Sequence, residues 1–555
     1  MDNLRTLFIF GLLIVSLLLW EAWQTDYVRP QQAAQQASST ETVAASDSSQ
    51  TDSADLPSLP ATTSDSGLAD LPNMNGEQTA AAKSASQIRV TTDIIDVYID
   101  LKGGDIRKLA LLDYPVDADQ PDVPVQFLND GTNPFFITQS GLRADGIAAP
   151  THYDVYQADE TSYALADGQD TLAVPLRWQA DNGLIVTKTY TFKRDSYLVD
   201  VRYDVENDGA EAFSANPYAQ FNRTRPGDDS MLLYTYTGAV FSSDQNEYKK
   251  VDFDELDKTA YRTESTGGWA AMIQHYFVAA LLPQSDAGQL RFYGNAINSS
   301  NYTAGMFLPQ LTAAPGESAS AEYRMYMGPK ETHRLEDAAE NLDLTVDYGV
   351  LTIISKPLFM IMEWFHKLTG NWGWSIVLLT ILIKMVFFKL SAKSYRSMAG
   401  MRKLTPKLTA LKERYGDDKQ KFNQAMMDLY RTEKINPLGG CLPILVQMPV
   451  FLAFYWVLVE SVELRQADFI LWINDLTAID PYFVLPVLFG LTMFFQQKLN
   501  PMPQDPAQAM MMKIFPIVFT VFFAFFPAGL VLYWLVNNML SIAQQWYITR
   551  KMGAL

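Results

Sequence analysis

The stretch Asn371–Lys389, NWGWSIVLLTILIKMVFFK, is apolar enough to enter a bilayer, yet it carries Lys384. Placing an ammonium in hydrocarbon costs about 2.5–3.5 kcal/mol on insertion scales. Two readings of this lysine stay open on the stretch alone. It snorkels to the headgroups from one turn inside the end of a span, or it is an intramembrane functional cation. Either reading makes this region a membrane domain.

Working outward, five apolar segments in the second half are expected to span: about Trp374–Leu390, Cys441–Val462, Tyr482–Gln497, Met510–Phe526 and Gly529–Ile548. Several fall short of the ~20 residues of an ordinary span, which favours a locally thinned bilayer. A sixth run, Leu4–Trp23, lacks a small-x-small cleavage site and reads as an uncleaved anchor within residues 1–28. Lys and Arg crowd the loop Ser391–Gly440, from Lys393 to Lys434, which makes that loop cytoplasmic. The loop Glu463–Pro481 carries Arg465 alone against Glu463, Asp468, Asp475 and Asp480 and faces outward. Both termini then lie in the cytoplasm.

Charge divides the chain as sharply as hydropathy. From Gly349 onward there are 20 Lys+Arg against 12 Asp+Glu, a surplus of eight, whereas the whole chain is −19, leaving −27 for Met1–Tyr348. A soluble acidic domain fused to a basic membrane domain fits this asymmetry. Residues 29–86, rich in Ala, Ser, Thr, Gln, Asp and Pro, read as a flexible tether. Residues 87–330 change to period two: Leu184, Val186, Tyr190 and Phe192 alternate, Arg194-Asp195 turns, and Tyr197, Val199, Val201, Tyr203 and Val205 alternate again. This is a hairpin with one buried face, in a large β-sandwich. Residues 331–369 hold a short helix, Glu331–Leu344, and an amphipathic interfacial helix, Val350–Leu368, with Lys356, Glu363 and Lys367 on one stripe. In the basic loop, Met398, Met401, Leu404, Leu408, Leu411 and Tyr415 step by three or four. Gly416 stops that arm, and Asp417 or Asp418 starts the next, giving a helical hairpin over 391–436. Thr405-Pro406 is expected to kink its first arm.

Chemistry-bearing clusters are scarce. Cys441 is the only cysteine, the four histidines show no ligand-type spacing, and no phosphate loop or nucleophile elbow is present. No catalytic residue, metal ligand or cofactor site is therefore expected, and the scattered acidic residues of 87–330 read as solvated strand faces and loops. The polar side chains inside apolar spans stand out instead. Thr380 and Lys384 are i and i+4; Gln447 lies beside Pro449; Trp534, Asn538 and Ser541 follow one face of the last span. Such groups face inward or line a wet cavity, because lipid cannot satisfy them. Each neutral one reads equally well as an interhelical hydrogen bond.

GNWGWSI (Gly370–Ile376), KLSAKSYRSMAGMRKL (Lys389–Leu404), NPLGGCLPILVQMPVF (Asn436–Phe451), VELRQADFILWINDL (Val462–Leu476) and FPAGLVLYW (Phe526–Trp534) resemble the YidC membrane protein insertases of Gram-negative bacteria. The resemblance implies a polytopic α-helical membrane protein of six transmembrane helices. Five of them form the insertase core over 370–555, beside a periplasmic β-supersandwich and a cytoplasmic hairpin. It implies an inner-membrane location and no enzymatic activity. It also implies a hydrophilic groove holding Thr380, Lys384, Gln447, Trp534 and Asn538, with Met448, Phe451, Phe522 and Tyr533 on the substrate-contacting lip. Implied partners are nascent membrane proteins, the Sec translocon, membrane lipids, and the ribosome or targeting machinery through the basic hairpin, without specific nucleic-acid recognition. Here Lys384 stands where better-known members have Arg, which keeps the charge and loses the planar fork. A transporter or channel using Lys384 as a counter-ion is the alternative, but the inverted repeats that many transporters show are not visible.

Overall fold

The computed structural model describes residues 87–131, 134–226, 235–284, 287–297, 300–416, 418–433, 442–500 and 506–553. The expected anchor, the tether and the Asn436-Pro437 end of the hairpin lie outside the described residues. Among the described residues nineteen strands form three sheets. The eight-stranded sheet runs Asn246–Val251, Gly238–Ser243, Trp269–Ile273, Phe277–Pro283, Ser318–Pro329, Leu198–Asn207, Leu184–Lys193, Thr171–Gln179. A five-stranded sheet begins at Gln87–Thr91, and a six-stranded sheet is built around Phe213–Thr224. Pairing between strands is antiparallel except where Gln87–Thr91 meets Ser162–Ala164.

The expected hairpin is present, with Val186 opposite Val205 and Phe192 opposite Val199. Asp195 makes the turn at φ 49°, a left-handed conformation that Asp tolerates better than most residues. Strict alternation also buries Lys188, midway between Val186 and Tyr190 and fully enclosed. Its ammonium donates to the carbonyls of Gly103 (3.1 Å) and Gly104 (2.8 Å) and lies 3.7 Å from the Asp105 carboxylate. Burial pulls this ammonium down to about 8 and pushes the Asp105 carboxyl up. Tyr190 donates to Gly104 O at 2.6 Å, and Tyr203 to Ser140 Oγ at 3.0 Å. The three sheets are thus tied to one core through a polar knot as well as through apolar contact.

The helical region follows as α1 Thr332–Ala338, α2 Thr352–Thr369, α3 Trp372–Val386, α4 Phe388–Tyr415, α5 Lys419–Thr432, α6 Leu442–Glu460, α7 Val484–Leu499, α8 Pro506–Phe523 and α9 Ala528–Lys551. The short helix expected over Glu331–Leu344 is α1 followed by a separate 3-10 turn, Leu342–Thr345; Asn341, at φ 63°, breaks the two apart. Among the described residues no single helix is long and apolar enough to cross a membrane, although the bent pair α3–α4, meeting at 67°, qualifies by length and composition. The expected span Trp374–Leu390 therefore ends early, at Val386, and Phe387 turns the chain into α4. The first hairpin arm starts at Phe388 rather than Ser391 and runs as one helix through Pro406. Leu404 and Leu408 are its buried seam, and the Asp418 carboxylate caps α5 by accepting from Lys421 N at 3.0 Å.

The two regions are joined by more than covalent linkage. Lys330 at the end of the last strand pairs with Glu460 at the end of α6. His275 bonds Val459 O at 2.7 Å, Tyr348 and Ser461 hydroxyls meet at 3.2 Å, and Arg465 donates to Pro115 O at 2.7 Å. Glu331 accepts from Tyr114 at 2.5 Å close by.

Candidate functional site

Asn371 starts α3 by accepting from Trp374 N at 3.1 Å. Thirteen residues on, Lys384 falls in the last turn of α3, where the carbonyl end of a helix favours a cation. Its ammonium donates to Ser541 Oγ of α9 at 2.7 Å, and that hydroxyl donates to Asn537 O one turn back at 2.7 Å. Among the described residues no carboxylate stands within ion-pairing distance of Lys384. One partner leaves two of the three ammonium protons to be used otherwise.

The α3–α4 bend leaves a small recess beside this cation, with about 10 Å³ of space open to water, lined by Ile383, Lys384, Phe387, Leu390, Ser391 and Gln447. Gln447 of α6 donates to Tyr533 Oη at 3.3 Å and to Asn537 Oδ1. Lys384, Gln447, Asn537 and Ser541 thus form one polar seam across α3, α6 and α9.

The remaining expected groove residues divide. Thr380 is buried and its hydroxyl donates to Ile376 O of its own helix at 2.7 Å, so it does not line the recess. Asn538 turns toward α7, donating to Thr492 Oγ1 at 3.0 Å. Trp534 sits in an aromatic nest, 4.9 Å from Phe451, 5.8 Å from Phe523 and 6.2 Å from Phe489 between ring centres. Its indole N–H is buried with no hydrogen-bond partner among the described residues. On the expected lip, Met448 is 42% and Phe522 51% exposed, and Phe451 is half-buried. Tyr533 is a correction: it is fully buried, because its hydroxyl is taken by Gln447 and its ring packs on Phe454. Asn537, which sequence reasoning passed over, takes the place given to Asn538. Its signal was available, since Tyr533, Asn537, Ser541 and Gln545 recur every four residues.

Outward, the helices show a different face. Phe494, Phe495, Ile517, Val518, Val521 and Phe525 are each half or more exposed. A continuous apolar exterior of this kind marks a membrane or interaction surface. A β-rich domain docked on helices with greasy exteriors and a cationic inner recess is the build of a membrane protein with a large water-side domain. Family models agree: residues 87–361 match the YidC periplasmic domain, and residues 364–554 match the 60Kd inner membrane protein family. A membrane protein insertase YidC from Nitrosococcus oceani is 51% identical over 99% of both chains. Another, from Methylococcus capsulatus, is 48% identical over 99% of this chain and 98% of its own. A solved active YidC insertase aligns with a TM-score of 0.39 at 19% identity, covering 84% of this chain and 93% of that one. The chain belongs to the YidC membrane protein insertase family, and so is an inner-membrane protein with a periplasmic β-rich domain.

Proposed function

We propose that this protein inserts nascent membrane proteins by offering their hydrophilic segments a cationic recess partway into the bilayer. The observation that carries this is the Lys384 ammonium, held by one serine hydroxyl, with no carboxylate pairing it among the described residues, and lining a small recess. Each unpaired polar group of a translocating segment costs several kcal/mol in hydrocarbon. The recess shortens that dry path, and Lys384 attracts acidic side chains into it. Met448, Phe451 and Phe522 offer an adaptable apolar edge over which an emerging span moves into lipid. The step is physical, with no covalent chemistry.

In this reading α3, α6, α7, α8 and α9 are the five core spans, the N-terminal anchor is the sixth, and both termini are cytoplasmic. Helices of 15 and 16 residues, α3 and α7, rise only about 22–24 Å against a hydrocarbon core of about 30 Å. Their shortness supports a thinned bilayer around the recess. The basic α4–α5 hairpin meets the ribosome or targeting machinery, and the Sec translocon and lipids are further partners.

Insertion into liposomes by the purified full chain tests this. Lys384→Ala is expected to slow substrates with acidic translocated tails more than neutral ones. Equal loss for both classes removes the electrostatic role.

A further inference from the structure

The turn Phe469–Ile473 is strained and exposed at once. Leu471 has φ 58° and is 82% exposed, and Ile470 beside it is 44% exposed. A branched, bulky side chain in the left-handed region is an outlier that persists only when its surroundings enforce it. Here they do. Phe469 N donates to Ile473 O at 2.9 Å, closing the turn. On one side, Asn371 Nδ2 donates to Phe469 O at 3.0 Å, and the Phe469 ring packs against Gly373 and Trp374 at the start of α3. On the other, Trp472 Nε1 donates to Asp480 Oδ1 at 2.9 Å, while Asp480 Oδ2 accepts from Leu485 N at the start of α7. Further along the same loop, the carbonyls of Leu476 and Ala478 accept from Gly529 and Ala528, at the start of α9. The turn is therefore fixed to the same end of three helices.

We infer that Ile470–Leu471 is a rigid apolar wedge seated in the headgroup–acyl boundary of the outer leaflet, its partner being the lipid surface. Lipid is the occupant the surroundings favour. Ile479, Tyr482 and Phe483, which flank the start of α7, are exposed as well, at 46%, 69% and 47%. They extend the apolar exterior of the bundle up to the turn, and Asp468 and Asn474 at the base of the turn are exposed polar residues that mark the wet side. Water offers nothing to offset a strained leucine held outward, whereas an acyl boundary does. Fixed to three helix starts, the wedge sets how deep the short helices sit and presses on the leaflet above the recess. This rests on the membrane reading of the helices given above.

The test is depth-dependent quenching in the full chain reconstituted into vesicles. Leu471→Cys, in a Cys441→Ser background, carries an environment-sensitive fluorophore, and the vesicles contain lipids spin-labelled at headgroup or mid-chain. Phe494→Cys on α7 serves as the buried-in-lipid reference and Val155→Cys on the β-domain as the aqueous one. The expected result is blue-shifted emission at position 471, lost with headgroup quenchers more than with mid-chain quenchers. Emission at 471 matching that at 155, with 494 still quenched by lipid, overturns the wedge and leaves a surface for solvent or a protein partner. If 494 also escapes lipid quenching, the membrane reading fails and the wedge falls with it. A second variant guards against disturbance of the turn itself. Leu471→Asn suits the left-handed backbone and, with the fluorophore at Ile470→Cys, is expected to shift emission toward water. No shift contradicts the role of Leu471.

Discussion

Lys330 and Glu460 form an ion pair at 3.3 Å with both side chains almost wholly enclosed, joining the last strand of the β-domain to the end of α6. Lys330 also donates to Thr345 O at 3.2 Å. Removing one member of a buried pair strands the other and costs about 3–5 kcal/mol, whereas replacing both with apolar residues of similar volume is often neutral. Glu460→Gln is therefore expected to lower thermal stability of the full chain in detergent, and Lys330→Met with Glu460→Leu to recover most of it. Equal losses for single and double variants contradict this role.

The same junction is expected to weaken in acid. Burial lowers His275 from 6.5 to about 4, while its Nε2 stays bonded to Val459 O. As pH falls from about 6.5 to about 4, the unfolded chain takes up this proton and the folded chain does not. The histidine's contribution is thus present above 6.5 and lost toward 4. His275→Gln is expected to flatten the stability profile over that window and leave it unchanged above pH 7, as thermal melts at stepped pH will show.

Gly373 has no room for a side chain: a Cβ there would overlap the Phe469 ring. Gly373→Ala is expected to cost about 1–3 kcal/mol, the usual range for overpacking. Pairing it with Phe469→Leu, which vacates part of the ring's volume, is expected to restore stability in the same melts.

In the β-domain, Lys188→Met leaves the Asp105 carboxyl enclosed without its cation. A loss of about 3–5 kcal/mol is expected, read as a lower denaturant midpoint. Lys188→Arg is expected to fail as a replacement, because the cage of Tyr156, Tyr190 and Tyr203 around the ammonium is closed.

The strand register and the cation were legible for simple reasons. Period-two alternation through Val186 and Tyr190 admits one buried face, and a lysine in an apolar run has few explanations. Lys188 escaped because a charge on an alternating strand reads as a break, although the register forces it inward. Neighbours on a helix point about 100° apart, so a helical face alone did not decide between Asn537 and Asn538, or between Tyr533 and Trp534. Which of each pair meets Gln447 depends on how α9 is rotated against α6. The bend at Phe387 carried no Pro or Gly to announce it, and the apolar residues run on past it to Phe388.

The recess is tested most directly by photo-crosslinking a stalled, ribosome-bound membrane-protein chain to single positions in the full-length protein. Probes at Lys384, Gln447, Met448 and Phe451 are expected to capture the chain, with Val155 on the β-domain capturing none. Absence of adducts at all four recess and lip positions, while probes on the outer face such as Phe494 still capture it, would contradict insertion through this recess.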